Sequence, residues 1–347
     1  MKLLVIGGAR FSGRALTELA LERNYEVTLF HRTPTELFPD AEHVIGDRDQ
    51  GVDALDGRTF DAVVDTCGYV PRAVRASVEL LAGSGWYGFI SSLSAHPEDL
   101  PPGANEDSPI FEAPFPDTED VTDETYGPLK VACERQVADV FGDRACVIRP
   151  GFIVGPNDPT DRFTYWVRRG AAGAEMLAPA PADYGLQWVD ARDLAAFVLG
   201  LAERATPGVF GVVDRAPTMT LGGLIAEAAS AAGADTRVAW ADEAFIASSF
   251  GGEQEGDAQP SETDAQATET DVDDPHEAFP LWWPEAPGFH AFDPSRAFEA
   301  GLLCRPPSQT VRDTLAWDRA RGQEPMQAGL SAEREQQLLA AWRETNR

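Results

Sequence analysis

Lysine is nearly absent from this chain, and basic charge of any kind is scarce. Of the 347 residues two are lysine and 26 are arginine, against 57 Asp and Glu, so the net charge at pH 7 is −29. Such an excess of carboxylates repels a phosphate backbone, and we therefore expect no nucleic-acid partner. Long apolar runs are also missing. Without about 18 consecutive apolar residues, no membrane-spanning helix is predicted.

Cysteines are few and scattered. Cys67, Cys133, Cys146 and Cys304 have neither the spacing of a zinc site nor that of a redox pair. No other pattern in the sequence resembles a metal site. Four isolated thiols in a chain of this length predict a reducing, cytoplasmic setting in which the thiols serve packing.

The acidic excess is spread over the chain. Residues 253–277 hold ten acids and no Lys or Arg, so the remainder still carries a charge of −19. Abundant acids with almost no lysine are typical of proteins from salt-loving organisms, because the screening length in molar salt falls to about 3 Å. Residues 251–278 contain few apolar positions and are predicted to form a flexible acidic insertion.

The acidic surface predicts that thermal stability rises steeply with salt. At about 0.01 M salt the screening length is near 30 Å, so each carboxylate is repelled by much of the molecule. We expect the melting temperature to increase continuously from low to molar KCl, in the full chain and in a version with residues 251–278 shortened. A melting temperature indifferent to KCl would contradict the halophilic interpretation. A response lost with the insertion would locate the repulsion there instead.

Apolar strand patterns alternate with helical patterns along much of the chain. The predicted strands are 2–6, 26–30, 43–47, 60–65, 87–91, 145–149 and 208–213, and the predicted helices include 70–82, 125–141 and 193–203. This alternation predicts an α/β fold, a Rossmann-like doubly wound parallel sheet with a smaller C-terminal substrate lobe. The sheet domain is expected over 1–155 with 186–215 returning to it, and the lobe over 156–185 and 216–325.

A glycine-rich segment follows the first predicted strand. Gly7 and Gly13 fit the outer positions of a G-x-x-G-x-x-G loop, with Gly8, Arg10 and Phe11 between them. Such a turn allows a dinucleotide pyrophosphate to approach the backbone and the N-terminus of the following helix. Arg10 replaces the middle glycine. It is predicted either to place a cation near the adenosine phosphates or to be a packing variation at the rim.

The residues at the end of the second strand of a dinucleotide-binding sheet select between NAD and NADP. An acid there binds the ribose 2′-hydroxyl of NAD, but this chain has His31 followed by Arg32. A basic residue favours a 2′-phosphate and hence NADP, although Arg32 could equally point to solvent. Asp47, after the third strand, is predicted either to bind adenine or to begin a turn.

Tyr126 and Lys130 form the third motif. Four residues are about one helical turn, so both side chains lie on one face of the predicted helix. A lysine can tune a neighbouring phenol in a way that an arginine, which stays charged, cannot. A solvated surface pair would have the same spacing. Pro128 is expected in the first turn, where the missing N–H is tolerated.

Taken together, these segments resemble the extended short-chain dehydrogenase/reductases, the NAD-dependent epimerase/dehydratase family. The resemblance rests on the outer glycines, the Tyr126/Lys130 pair with Glu134, and the segments 88–94, 149–156 and 187–193. It covers residues 1 to about 320. The opening Gly-Gly-x-Arg-Phe-x-Gly is closer to an atypical branch that includes chloroplast stem-loop RNA-binding proteins.

The resemblance implies roles for individual residues. Tyr126 would be the general acid/base, and Lys130 would bind the nicotinamide ribose and lower the pKa of the phenol from about 10. Ser92 would hydrogen-bond the reacting oxygen, with Ser91 and Ser94 as alternatives and strand-end capping as the structural explanation. Cys67 and Gly68, after the fourth strand, would contact the cofactor.

The resemblance also places a substrate region in the smaller lobe. The candidate substrate contacts are Arg162, Trp166 and Gln187. Arg162 would bind a phosphate or carboxylate or, equally, pair with one of the surplus acids at the surface. Trp166 is expected more strongly in the core of the lobe, and His96 is expected on an exposed loop.

The resemblance thus implies an NAD(P)-dependent oxidoreductase or epimerase/dehydratase. It would act on a sugar nucleotide or another small hydroxyl or carbonyl substrate by hydride transfer assisted by Tyr126, Lys130 and Ser92. A non-catalytic dinucleotide-sensing or RNA-binding protein on the same fold is the alternative. The resemblance also allows a homodimer.

Overall fold

A computed structural model describes residues 1–113, 115, 117–250, 274–322 and 324–346. In these residues the strands are β1 (Lys2–Ile6), β2 (Glu26–His31), β3 (Glu42–Ile45), β4 (Ala62–Asp65), β5 (Tyr87–Ile90), β6 (Ala145–Pro150), β7 (Phe152–Val154), β8 (Glu175–Pro179), β9 (Gly185–Leu186), β10 (Trp188–Asp190), β11 (Gly208–Val212), β12 (Met219–Thr220) and β13 (Arg237–Ala241). The α-helices are α1 (Phe11–Glu22), α2 (Pro71–Leu80), α3 (Asp123–Phe141), α4 (Arg162–Gly170), α5 (Ala191–Glu203), α6 (Leu221–Ala232), α7 (Glu243–Phe250), α8 (Pro275–Ala278), α9 (Ser295–Glu299), α10 (Pro307–Ala320) and α11 (Ala332–Thr345). None of these helices is long and apolar enough to cross a bilayer.

Seven of the described strands form one parallel sheet in the order β11-β6-β5-β4-β1-β2-β3. The order reverses at β1, so the strand ends on either side of β1 and β4 border a crevice where open α/β sheets bind ligands. The predicted Rossmann-like doubly wound sheet is confirmed.

Both faces of this sheet are covered, which explains why its strands are continuous apolar runs. On one face, buried residues of α1 and α5 pack against side chains such as Val5 and Leu29. On the other face, residues of α2 and α3 pack against Leu4, Val63 and Phe89. The carboxyl ends of the strands therefore present their loops along one edge.

The chain divides into two compact units, and each contains several chain segments. Unit 1 comprises 1–157, 187–218 and 285–306, and unit 2 comprises 158–186, 219–284 and 307–347. Residues 285–306 differ from the predicted boundary, which assigned them to the lobe. Their backbone explains the difference: Ala291 O accepts from Gly103 N at 2.6 Å, and Asp293 N donates to Ala104 O at 2.7 Å.

Unit 2 has its own packing. Helices α4, α6 and α10 pack on one another, β8 pairs in parallel with β13, and β9 pairs with β12 in antiparallel. Trp166 on α4 is fully buried, and its indole N–H donates to Pro280 O.

Most of the predicted acidic insertion, residues 251–273, lies outside the described residues. Its final residues are described and include helix α8, in which Ala278 is buried.

Helix α3 begins earlier than the sequence indicated. Thr122 caps the helix, and Thr122 and Thr125 exchange hydrogen bonds in a capping box. The prediction that Pro128 lies in the first turn is therefore wrong. Pro128 lies in the second turn, inside the helix.

Candidate functional site

The glycine loop after β1 adopts a conformation that requires its glycines. Gly7 has φ +108° and Gly8 has φ +59°, both in the region that side chains rarely occupy. A Cβ on Gly7 would lie 2.2 Å from Thr66 Oγ1, and one on Gly13 would lie 2.9 Å from Gly8 N. The loop is thus packed closely between the end of β4 and the start of α1.

Arg10 is the N-cap of α1 and is exposed, with no side-chain capping hydrogen bond. Phe11, the first helical residue, has a positive φ of 41°. The first amides of an α-helix have no partners within the helix and attract anions. The sequence-predicted loop residues therefore lie together at one helix N-terminus.

The residues after β2 and β3 lie at the same sheet edge. Arg32 is exposed. Asp47 begins a turn, because its carboxylate accepts from Asp49 N at 3.1 Å and its carbonyl accepts from Gln50 N at 3.0 Å. A turn beginning at Asp47 is one of the two interpretations that the sequence left open. Binding of adenine by Asp47 stays a prediction.

Helix α3, which carries Tyr126 and Lys130, approaches the segment after β5 closely at Gly127. A Cβ on Gly127 would lie 2.1 Å from Ser94 O. Ser92 caps the short 3-10 helix Leu93–Ala95, accepting from Ser94 N at 3.0 Å and donating to Ser94 Oγ at 3.1 Å. The first turns of α3, with Tyr126, therefore lie directly beside the serine segment.

Lys130 is buried, with 2% of its surface exposed. Its Nζ donates to Gly68 O at 2.8 Å and to Ile90 O at 2.7 Å. It also lies 4.5 Å from the centre of the Phe89 ring. Burial lowers the pKa of the ammonium. Lys130 thus joins α3 to the carboxyl ends of β4 and β5, and it is not the solvated surface lysine of the alternative interpretation.

Tyr69 is a neighbour of both motif residues that the sequence analysis did not find. Its ring centre is 6.4 Å from that of Tyr126, and Lys130 Nζ lies 5.2 Å from the Tyr69 ring. Tyr69 as a whole residue is 45% exposed. Its partial burial, and secondly the charge of Tyr126, raise the pKa of Tyr69 to about 12. No spacing rule connects position 69 with the helix motif, so no sequence signal could have indicated it.

The loop that carries Gly68 is held by a buried ion pair. Arg48 donates from Nη1 and Nη2 to the two carboxylate oxygens of Asp65, each at 2.8 Å. Asp65 also accepts from Tyr87 OH at 2.9 Å and from Cys67 N at 3.2 Å. Burial alone would lower the pKa of Arg48, but the charge of Asp65 outweighs it and raises that pKa. Burial, then Asp65, raises the pKa of Cys67 to about 11, which keeps the thiol protonated.

A second buried ion pair, between Arg149 and Glu134, contacts Ser91 after β5. Arg149 donates to the carboxylate of Glu134 at 2.9 and 2.6 Å, and Ser91 Oγ donates to the same carboxylate. The prediction that His96 is exposed is wrong: it is buried, and its Nδ1 lies 2.8 Å from Pro109 O. Burial lowers the pKa of His96, and the charge of Arg149 lowers it further.

The candidate substrate residues belong to different units. Arg162, the exposed first residue of α4, and Trp166 belong to unit 2, whereas Gln187 is buried in unit 1. The Gln187 amide donates to Asp214 O at 2.7 Å and Phe292 O at 2.8 Å. Trp166 and Gln187 thus have the contacts of core residues, and their substrate roles stay predictions.

In the described part of the chain, no group of three or more His, Cys, Asp and Glu could hold a metal ion. All four cysteines fall in the described part, and each is a free thiol.

Comparison with known proteins finds similar solved structures but no match by sequence. No family model matches the chain, and no curated protein matches it. The Bordetella bronchiseptica enzyme WbmG, solved with NAD and UDP, is 17% identical, with 92% of this chain and 94% of WbmG covered and a TM-score of 0.64.

Two epimerases give similar values. UDP-glucuronic acid 4-epimerase from Bacillus cereus, in complex with NAD, is 14% identical over 93% of this chain and 98% of its own, with a TM-score of 0.62. UDP-glucose 4-epimerase from Thermotoga maritima, with UDP-glucose, is 16% identical over 92% and 99%, with a TM-score of 0.61. The chain therefore has the fold of these proteins over nearly its whole length.

Proposed function

We propose that this chain is an NAD(P)-dependent enzyme that epimerises, dehydrates, oxidises or reduces a sugar nucleotide or another small hydroxyl or carbonyl substrate. One observation carries the proposal: Lys130 Nζ reaches both Gly68 O and Ile90 O, which joins the tyrosine-bearing helix to the crevice edge of the sheet. A solvated helix pair has no reason to bury an ammonium there, because burying it carries a desolvation cost. The NAD and UDP-sugars named for the similar structures support the same chemistry.

The glycine loop fits a dinucleotide. Gly7 and Gly8 hold backbone conformations that leave no side chain between the loop and a pyrophosphate, and the N-terminus of α1 offers its first amides. Arg10, at the N-cap, adds a cation close to those amides. Cys67 and Gly68 would contact the nicotinamide half, with Cys67 as a neutral thiol. A bound nicotinamide would accept or return a hydride at C4.

Tyr126 is assigned as the acid/base that removes or returns the proton of the substrate hydroxyl. Lys130 supports this by placing a positive charge within one helical turn of the phenol, which favours the phenolate. Burial lowers the pKa of Lys130, but two carbonyl acceptors hold the charged form in place. Ser92 would donate a hydrogen bond to the reacting oxygen in exchange for its present bond to Ser94 Oγ.

Arg162 is assigned to the phosphate or carboxylate of the substrate. It begins α4 and is exposed, and a guanidinium can bind either group through two parallel hydrogen bonds.

The proposed enzymatic function can be tested on the purified protein in high KCl. Calorimetric titration with NADH and NADPH measures dinucleotide binding, and a screen of UDP-sugars with bound NAD(P) measures turnover by nucleotide-sugar chromatography. Binding with turnover supports the enzyme. Binding without turnover of any hydroxyl or carbonyl substrate would favour the dinucleotide-sensing alternative, and binding of RNA in place of dinucleotide would favour the RNA-binding one.

Cofactor choice depends on Arg32 in this proposal. The exposed guanidinium follows β2, where an acid would select NAD, so we expect NADPH to bind more tightly than NADH. Arg32→Ala should narrow the difference by about 1–3 kcal/mol, the range for a charge-assisted hydrogen bond. Arg75→Ala, on the exposed face of α2, is the matched control and should change neither affinity. Equal affinities in the unmodified chain would make NAD the cofactor.

A further inference from the structure

Two histidines at the end of β2 and in β3 contact each other through ring nitrogens. His31 Nε2 lies 2.9 Å from His43 Nδ1, and the rings meet edge to face with an interplanar angle of 76°. This geometry is that of a hydrogen bond between the two rings.

The outer nitrogens of the two rings each face a backbone carbonyl. His31 Nδ1 lies 2.8 Å from Thr33 O, and His43 Nε2 lies 3.0 Å from Phe38 O. A carbonyl oxygen can only accept, so each outer nitrogen must carry a hydrogen.

Counting hydrogens fixes the charge of the pair. Two neutral imidazoles carry two ring hydrogens, and both are used on the carbonyls. The facing nitrogens would then both be acceptors at 2.9 Å, which is repulsive. A third hydrogen between His31 and His43 completes all three bonds and gives the pair one positive charge.

The surroundings oppose a second charge, and the hydrogen bonds completed by the first must offset the burial of His31. His31 is 8% exposed. Its burial lowers its pKa, its hydrogen bond to Thr33 O works in the other direction, and a charge on His43 lowers the pKa again. The charged groups on adjoining segments are Arg10, Arg14, Arg32, Glu36, Asp40, Glu42 and Asp47. Glu42 pairs with Arg58 and Glu18 pairs with Arg14, and within the described residues no ion pair joins a carboxylate to His31 or His43.

The pair lies at the end of β2, where its charge would be close to the adenosine ribose of a bound dinucleotide. His31 is the last residue of β2, where a dinucleotide-binding sheet meets the adenosine ribose, and Arg32 follows it. The charge of the pair adds to that of the neighbouring Arg32 in a chain whose net charge is −29. All ring nitrogens are occupied, so the pair acts through its charge and not through a hydrogen bond to the ligand.

We propose that His31 and His43 share one proton as a singly charged pair, and that this charge makes the end of β2 selective for a nucleotide bearing a 2′-phosphate. The ligand half of the proposal rests on the proposed dinucleotide function, whereas the proton count does not.

The proton count is tested without ligand. In chain labelled with ¹⁵N-histidine, long-range proton–nitrogen correlation at pH 7 should show three protonated ring nitrogens for His31 and His43 together. The variant His43→Gln removes the charge but can still donate to His31 Nε2, and in it His31 should be a neutral ring protonated at Nδ1. Two protonated nitrogens in the unmodified pair would overturn the proposal.

The ligand half is tested by calorimetry with adenosine 2′,5′-bisphosphate and with 5′-AMP, at the lowest KCl that keeps the chain folded. Above pH 7 the 2′-phosphate is a dianion, since its second pKa is about 6. The bisphosphate should bind more tightly than 5′-AMP, and His43→Gln should reduce that ratio about three- to ten-fold, as loss of one nearby charge would. His276→Gln, in unit 2, should leave the ratio unchanged.

The pH dependence has a definite sign. As the pH rises and the shared proton is lost, the ratio in the unmodified chain should fall to that of His43→Gln, whose own ratio stays flat. A ratio unaffected by His43→Gln would overturn the selectivity. Failure of both nucleotides to bind would overturn the dinucleotide site itself, and the ligand-free proton count would still decide the state of the pair.

Discussion

Replacing Tyr126 by phenylalanine should lower turnover about 10²- to 10⁴-fold, the contribution of a positioned acid/base. The substitution removes one oxygen and keeps the ring that faces Tyr69 at 6.4 Å, so the packing of α3 is preserved. We expect the melting temperature and the affinity for NAD(P) to change little. The measurement is kcat on the best substrate of the UDP-sugar screen, with dinucleotide affinity measured on the same preparation.

Tyr69→Phe is the control for Tyr126→Phe, because it removes the phenol oxygen of the neighbouring ring. Since partial burial raises the pKa of Tyr69 to about 12, its phenol stays protonated near neutral pH and is a poor base. Its loss should reduce kcat far less. If Tyr126→Phe kept full activity and Tyr69→Phe lost it, the two tyrosines would have to exchange roles.

Asp65→Asn should destabilise unit 1 by about 3–5 kcal/mol, since removing one partner of a buried ion pair leaves the other charge uncompensated. Arg48 would lose the negative charge of its partner and one of its two acceptor oxygens, and its guanidinium is 8% exposed. Urea unfolding at fixed KCl measures the change. The asparagine keeps the size of the side chain, so a cavity does not contribute.

Glu79→Gln is the matched control for Asp65→Asn. It breaks the ion pair between Arg75 and Glu79, whose side chains are 64% and 54% exposed, and exposed pairs contribute about 0–1 kcal/mol. The double variant Arg48→Met/Asp65→Leu should recover part of the lost stability, because no charge then stays buried. Equal destabilisation by Asp65→Asn and Glu79→Gln would show that the buried pair contributes no more than a surface pair.

The strands of the large sheet could be predicted because their apolar runs are long enough to be recognised without tertiary information. Each predicted strand of that sheet matches an observed one within about two residues, and alternation with helices implies parallel pairing. The assignment of residues 285–306 could not be predicted. It depends on backbone hydrogen bonds to residues 103 and 104, which no local pattern encodes.

The site shows the same division between local and long-range information. The Tyr126/Lys130 spacing predicted a shared helix face, but not that Gly68 O and Ile90 O would enclose the ammonium. His31 and His43 are 12 residues apart and meet only because β2 and β3 pair with Leu29 opposite His43. Strand register, which the sequence does not state, was the missing information.

The interleaved order of unit 1 has a consequence for synthesis on the ribosome. Strand β6 ends at Pro150, but its neighbour β11 begins only at Gly208, and the last segment of the unit ends at residue 306. At roughly 5–20 residues per second, the end of β11 at Val212 follows the end of β6 by about three to twelve seconds. During that interval one edge of a hydrophobic sheet has no partner strand, and unpaired edges invite association with other chains. The sheet is therefore most open to association with other chains while it is one strand short, and the repulsion between the carboxylates of neighbouring chains opposes that association.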